Sequence, residues 1–186
     1  SKNNGASYSP VHHFNDKVTS VEVAWSNPDV IYVATWPSWW GTKHIYRSSD
    51  AGNTWNEITP TSIIPSQAWI PYDITISSYD ENTLWIARCS MYGGVQDAQG
   101  YEVFKSVDGG QSWINWSTLT LDNINVTNIE HQRGGNGVYI GTRESVYYRN
   151  NSMSDWDIYD VNLPKSTYST QLIPYYREGL LQNGTN

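Results

Sequence analysis

An eight-residue phrase recurs along this chain, and a chain that repeats itself must fold as an array of like units. Ser48-Ser49-Asp50-Ala51-Gly52-Asn53-Thr54-Trp55 and Ser106-Val107-Asp108-Gly109-Gly110-Gln111-Ser112-Trp113 share the pattern S-x-D-x-G-x-[ST]-W, with 58 residues between the two serines. The segments upstream superpose as well, residues 21–35 over 74–88. Both read as strand, turn, strand, because β-branched and aromatic positions flank an Asn/Asp/Pro cluster. A third copy is degenerate: strands at 138–142 and 146–149 precede Asn150-Asn151-Ser152-Met153-Ser154-Asp155-Trp156, one residue shorter than the motif. Residues 172–176, the turn 177–179 and residues 180–185 repeat the first hairpin, and residues 1–8 carry the phrase with Asn for Asp and Tyr for Trp.

Four short strands in each repeat of about 40–60 residues are the signature of propeller blades. No apolar period of 3.6 residues argues for a helical solenoid. The expected fold is therefore all-β, a partial β-propeller of four-stranded antiparallel blades. With strands a to d running outward from the axis, the phrase falls in the c–d turn. The 186 residues then divide into an outer strand at 8–14, blades at 18–62, 70–120 and 124–163, and an inner hairpin at 170–186. An open arc belonging to a larger propeller is expected, because a fourth blade made from both ends of this sequence lacks its strand c. The alternative is a closed four-bladed ring, in which residues 8–14 pair with the 170–186 hairpin.

The two full phrases resemble the Asp-box (BNR) repeats of sialidase-like propellers, shared by sialidases, sortilin-type receptors, xyloglucanase-type glycosidases and many large secreted bacterial proteins. The resemblance implies a structural role for Ser48, Asp50, Gly52, Trp55, Ser106, Asp108, Gly110 and Trp113. In such a turn the carboxylate accepts backbone N–H bonds, Gly supplies a positive φ, and the Trp folds back over the turn. Trp55 and Trp113 are expected to be largely buried, so that truncation to Ala costs about 3–5 kcal/mol. Residues 146–156 and 173–179 are similar to the last blades of large modular proteins that marine Bacteroidetes export by type IX secretion. This implies an extracellular or cell-surface location and a continuation past Asn186.

Propeller geometry puts a–b and c–d turns on one face and b–c loops with d–a connections on the other. The second face carries the aromatic loops. Trp36, Trp39 and Trp40 lie in the first b–c loop, Tyr92 in the second, and Trp69 in a d–a connection. The chain is rich in such side chains, with ten Trp and fourteen Tyr, and their apolar bodies and polar tips suit stacking platforms for sugar rings or a peptide. They suit the sealing of gaps between blades equally well.

A formal charge of −7 and a pI near 4.9 disfavour nucleic acid or an anionic membrane as partner, and no apolar run reaches the length of a membrane span. No cofactor and no metal are expected. Adjacent His12 and His13 point to opposite faces of a strand, and the lone Cys89 has no base beside it and reads as a buried thiol. Two functions fit. One is a non-catalytic extracellular binding or adhesion module that recognises glycan or protein, its other partners being further blades. The other is part of a glycoside hydrolase, of xyloglucanase or sialidase type. Against a sialidase, the Phe/Tyr-Arg-Ile-Pro motif is absent and the six arginines form no recognisable trio. Asp73, Asp97, Asp122 and Glu144 fall near the ligand face, but no motif assigns any of them a catalytic role.

Overall fold

The computed structural model describes residues 5–37, 43–61, 72–89, 102–122, 124–161 and 171–173. Within them, twelve strands build three four-stranded antiparallel sheets, each a meander in chain order. The first holds β1 (Lys17–Val23), β2 (Ile31–Trp36), β3 (His44–Ser48) and β4 (Asn56–Glu57); the second β5 (Tyr72–Ile76), β6 (Leu84–Arg88), β7 (Val103–Ser106) and β8 (Ile114–Asn115); the third β9 (Val126–His131), β10 (Val138–Thr142), β11 (Val146–Arg149) and β12 (Asp157–Ile158). The sheets are blades of a partial propeller. Among the described residues the only helix is a single 3₁₀ turn, Leu119–Leu121.

Strand register gives the repeat an exact residue correspondence. Ile31 pairs with Ser48, Leu84 with Ser106 and Val138 with Arg149, so these three pairs occupy one position in three blades.

The core lies between blades. Tyr32, Ala34 and Ile45 of the first sheet pack against Ile74, Leu84, Ile86 and Phe104 of the second. Trp85, Ala87, Val103 and Trp116 on its other face meet Ile129, Val138, Ile140 and Tyr147 of the third. The central strands are therefore apolar on both faces: all five residues of β6 are buried. Such a strand shows no alternation of apolar and polar residues, because neither face is wet.

The inner strands β1, β5 and β9 stand side by side, β5 touching both neighbours. Asp73 fastens all three. Its Oδ1 accepts from Ser20 Oγ at 3.0 Å and its Oδ2 from Ile129 N at 3.1 Å. Thr75 Oγ1 likewise accepts from His131 N at 2.9 Å.

Residues 8–14, expected as an outer strand, form no strand. A strand exists through pairing, and none of the described residues pairs with them. They nevertheless occupy the place the repeat assigns. A Cβ on Gly52 would collide with Val11 Cγ1, just as one on Gly110 would meet Ile58 Cδ1 at 2.5 Å. Phe14 then packs edge-on against Trp55 at 5.1 Å. The expected hairpin at 170–186 lies outside the described residues except for 171–173.

Candidate functional site

On the turn face, the two S-x-D-x-G turns are built alike atom for atom. Asp50 Oδ1 accepts from Thr54 N at 2.8 Å and Ser48 Oγ at 2.8 Å, and Oδ2 from Thr54 Oγ1 at 2.6 Å. Asp108 repeats this with Ser112 N at 2.9 Å, Ser106 Oγ at 2.8 Å and Ser112 Oγ at 2.5 Å. The serine hydroxyls in turn accept from Gly52 N and Gly110 N, both at 2.8 Å. Hydrogen bonds from Thr54 and from Ser112, hydroxyl first, hold each carboxyl down to about 2. Each turn is also tied to its own a–b turn, Ala51 N to Asp29 O and Gly109 N to Asn82 O. Carboxylates so engaged are ionised acceptors and cannot serve as proton donors near neutral pH.

The tryptophans of these turns are half-buried rather than largely buried. Trp55 Nε1 folds back to Gly52 O at 3.0 Å, whereas Trp113 Nε1 crosses to Ile58 O of the preceding blade at 3.0 Å. Residues 57–61, Arg47, Asn82 and the second turn enclose a cleft of about 500 Å³ at this seam, so one edge of the Trp113 indole stays wet.

The third turn lacks the motif carboxylate. Arg149, standing where the others have serine, donates to Trp116 O at 2.6 Å, Ser154 O at 3.1 Å and Met153 O at 3.4 Å. Asp155 accepts from the Thr118 and Thr120 hydroxyls and from Trp156 N. Trp156 is 2% exposed and reaches Trp116 O at 3.3 Å.

Near the axis, Glu22 and Glu130 are carboxyls that sequence reasoning missed. Burial, then the charges of Glu130 and Asp73, push Glu22 up to about 7; burial, then Asp73, does the same for Glu130. Both titrate near neutrality and can hold or release a proton there. The signal was present in the repeat, since Glu22, Thr75 and Glu130 share one register position, but only convergence of three strands makes neighbours of them. At the turn end of the axis, the Arg133 guanidinium lies 3.7 Å from the Trp25 ring centroid, joining the first and third blades.

On the opposite face, Trp36 ends β2 half-buried. Trp39, Trp40, Trp69, Tyr92 and Asp97 lie outside the described residues. On this face Lys43, Arg88 and Glu102 are 7%, 2% and 3% exposed. Burial, then the Arg88 charge, lowers Lys43 to about 8. Asp73 is absorbed in its strand bonds, Asp122 closes the 3₁₀ turn through its backbone N–H, and Glu144 edges a small 80 Å³ hollow with Arg143. His12 and His13 both border the cleft beside Trp55; among the described residues no three His, Cys, Asp or Glu groups gather to hold a metal ion. Burial raises the Cys89 thiol well above its ordinary range.

No family model matches the chain. It is 38% identical to the xyloglucanase Xgh74A of Acetivibrio thermocellus over 52 residues, 28% of this chain and 6% of that protein. To the vacuolar protein sorting/targeting protein 10 of Colletotrichum graminicola it is 33% identical over 82 residues, 44% of this chain and 4% of the other. Among solved structures, an ancestral GH74 enzyme superposes with a TM-score of 0.61 at 16% identity, covering 82% of this chain and 21% of the other. The GH74 xyloglucanase from Xanthomonas campestris gives 0.55 at 12%, covering 80% and 24%, and YCF48 from Cyanidioschyzon merolae 0.53 at 13%, covering 77% and 40%. These likenesses show a propeller fold, and the chain spans only a minor part of each protein. No helix among the described residues is long and apolar enough to cross a membrane.

Proposed function

We propose that this chain belongs to an extracellular binding or adhesion module, not itself catalytic, which recognises glycan or protein on the face opposite its Ser-x-Asp turns, and that those turns are Asp-boxes. The supporting observation is how the two faces use their polar groups. On the turn face Asp50 and Asp108 are consumed in holding the turns. On the other, buried Lys43 and Arg88 stand at strand ends from which the aromatic loops spring, a rigid base for adaptable contacts. A solved YCF48 is bound to the D1 peptide, which agrees with ligand recognition by this fold.

Affinity electrophoresis through a panel of polysaccharides, with a glycan array, tests the reading. Replacing Trp39 and Trp40 with Ala should abolish retardation on a cognate polysaccharide and leave Tm within a few degrees. A double variant that fails to fold would assign those rings to a seam instead, and the wild type binding nothing in either assay would remove glycan recognition.

Glu22 and Glu130 favour a second reading, a share in a glycoside hydrolase. Carboxyls near 7 have the protonation behaviour that glycosidic acid–base chemistry needs. Release of reducing sugar from xyloglucan that disappears in both Glu22→Gln and Glu130→Gln would establish it. Unchanged release, or none in the wild type, would leave binding.

A further inference from the structure

The seams between blades rest on one pair of register positions, and the two described seams treat that pair differently. On the first blade the pair is Tyr32 and Arg47, and the turn between β5 and β6 satisfies both. The Tyr32 hydroxyl donates to Glu81 O at 2.7 Å and Arg47 Nη2 to Asn82 Oδ1 at 3.1 Å. On the second blade the pair is Trp85 and Lys105, and the turn that faces it is shorter. Five residues, 78–82, lie inside the closing bond from Ser77 N to Thr83 O, but only four, 133–136, inside the one from Gln132 N to Gly137 O. The shorter turn brings no carbonyl to Trp85. Its indole N–H, on a side chain 2% exposed, meets no acceptor among the described residues. A cleft of about 500 Å³ lies there instead, with Trp85, His131, Tyr79, Gly135, Asn136 and Asn151 in its walls. A buried donor without an acceptor is costly, and a ligand that brings one removes the cost.

The charge of the cleft selects the ligand. No acidic side chain lines it, in a chain of formal charge −7. Lys105 adjoins it, the ammonium 5.1 Å from the Trp85 ring centroid and donating to Asn151 Oδ1 at 2.8 Å. That bond leaves the amide N–H groups as the free end of Asn151. His131, stacked on Trp85 at 5.3 Å, is held down to about 4 by burial and then by the Lys105 charge. Its ring is therefore neutral near pH 7, with one nitrogen donating. Donors from Trp85, His131 and Asn151 beside a cation suit a carboxylate. On the rim, Tyr79 is 65% exposed and offers a ring face.

We propose that this cleft between the second and third blades binds a uronic acid residue of an acidic polysaccharide. The Trp85 indole N–H, His131 and Asn151 take its carboxylate beside Lys105, and its ring lies on Tyr79. A hexuronate joins a carboxylate to an apolar ring face in one unit, which an aspartate or glutamate side chain does not. The site belongs to the turn face and is independent of recognition by the loops opposite.

Nuclear magnetic resonance of the full 186-residue chain tests the assignment, by titration with short oligomers of galacturonate, glucuronate, mannuronate and guluronate. Each is paired with the neutral sugar oligomer it derives from, and triglutamate is a further probe. At least one uronate should move the Trp85 indole N–H resonance, identified by its loss in Trp85→Phe, and raise the proton affinity of His131 at least about tenfold. The neutral partner should do neither. Lys105→Met should weaken binding of that uronate about tenfold, and Tyr79→Ala, a change at an exposed ring, severalfold. No response to any uronate, or equal responses to the neutral oligomers, would overturn the proposal. Wild-type affinity in Tyr79→Ala and in a folded Lys105→Met would overturn it too. Equal responses to triglutamate would replace the polysaccharide by an acidic peptide.

Discussion

The second and third c–d turns reach the same end by opposite chemistry. Around Asp108 a carboxylate gathers N–H and O–H donors within the turn; around Arg149 a guanidinium gathers carbonyls, one of them in the preceding blade. Both deliver an indole N–H to the carbonyl three residues beyond the preceding box tryptophan position, Ile58 in one case and Trp116 in the other. The seam contact is common to both blades, and the turn chemistry is one of several ways to hold it. Because Arg149 also spans the seam, its tryptophan is sealed, whereas Trp113 keeps an edge toward a cleft.

That contrast is open to attack by substitution. Trp156→Ala should cost about 3–5 kcal/mol, as for a fully buried aromatic, and Trp113→Ala about 1–3 kcal/mol for its smaller buried area. Equal losses in urea unfolding would mean that sealing has no energetic counterpart. Next comes Gly110→Ala. Gly110 has φ of 89°, and an added Cβ would lie 2.5 Å from Ile58 Cδ1. Backbone strain and overpacking together should cost about 2–4 kcal/mol, while the third turn, which has no glycine at all, contains no equivalent liability.

A third test uses pH, and the two regions it compares pull in opposite directions. Asp50 and Asp108, near 2 when folded, contribute stability that is present above their unfolded value near 3.8 and lost as pH falls through 2. Glu22 and Glu130, near 7 when folded, bind protons more tightly than the unfolded chain, so stability falls as pH rises from about 4.5 through 7. Tm should therefore peak near pH 4–5, and Glu22→Gln with Glu130→Gln should flatten the alkaline side by a few degrees; a wild-type Tm that rises from pH 5 to 8 would contradict the axis assignment. The smallest effect concerns Ala51, which holds φ of 58° where the second turn has Gly109 at 72°. Ala51→Gly should stabilise by about 0.5–1 kcal/mol, relief of left-handed strain outweighing the added chain entropy.

Much of this architecture is legible in the sequence because the repeat is written locally. The motif residues contact one another within four positions, so Ser48, Asp50 and Thr54 already announce their hydrogen bonds. What escapes is whatever depends on a neighbour outside the repeat. Residues 8–14 have the composition of a strand but no paired partner among the described residues. The burial of Trp113 is decided by Ile58, 55 positions away. Asp73 reads as a loose acid near a ligand face and turns out to be a clasp between three strands. The equivalence of Arg149 to a motif serine is visible only through strand pairing.

The indole-to-carbonyl bond always reaches backward along the chain, from Trp113 to Ile58 and from Trp156 to Trp116. During synthesis, each acceptor has therefore left the ribosome tens of residues before its donor exists. A blade that emerges later therefore brings its donor to an acceptor already made, which favours docking of the blades in chain order.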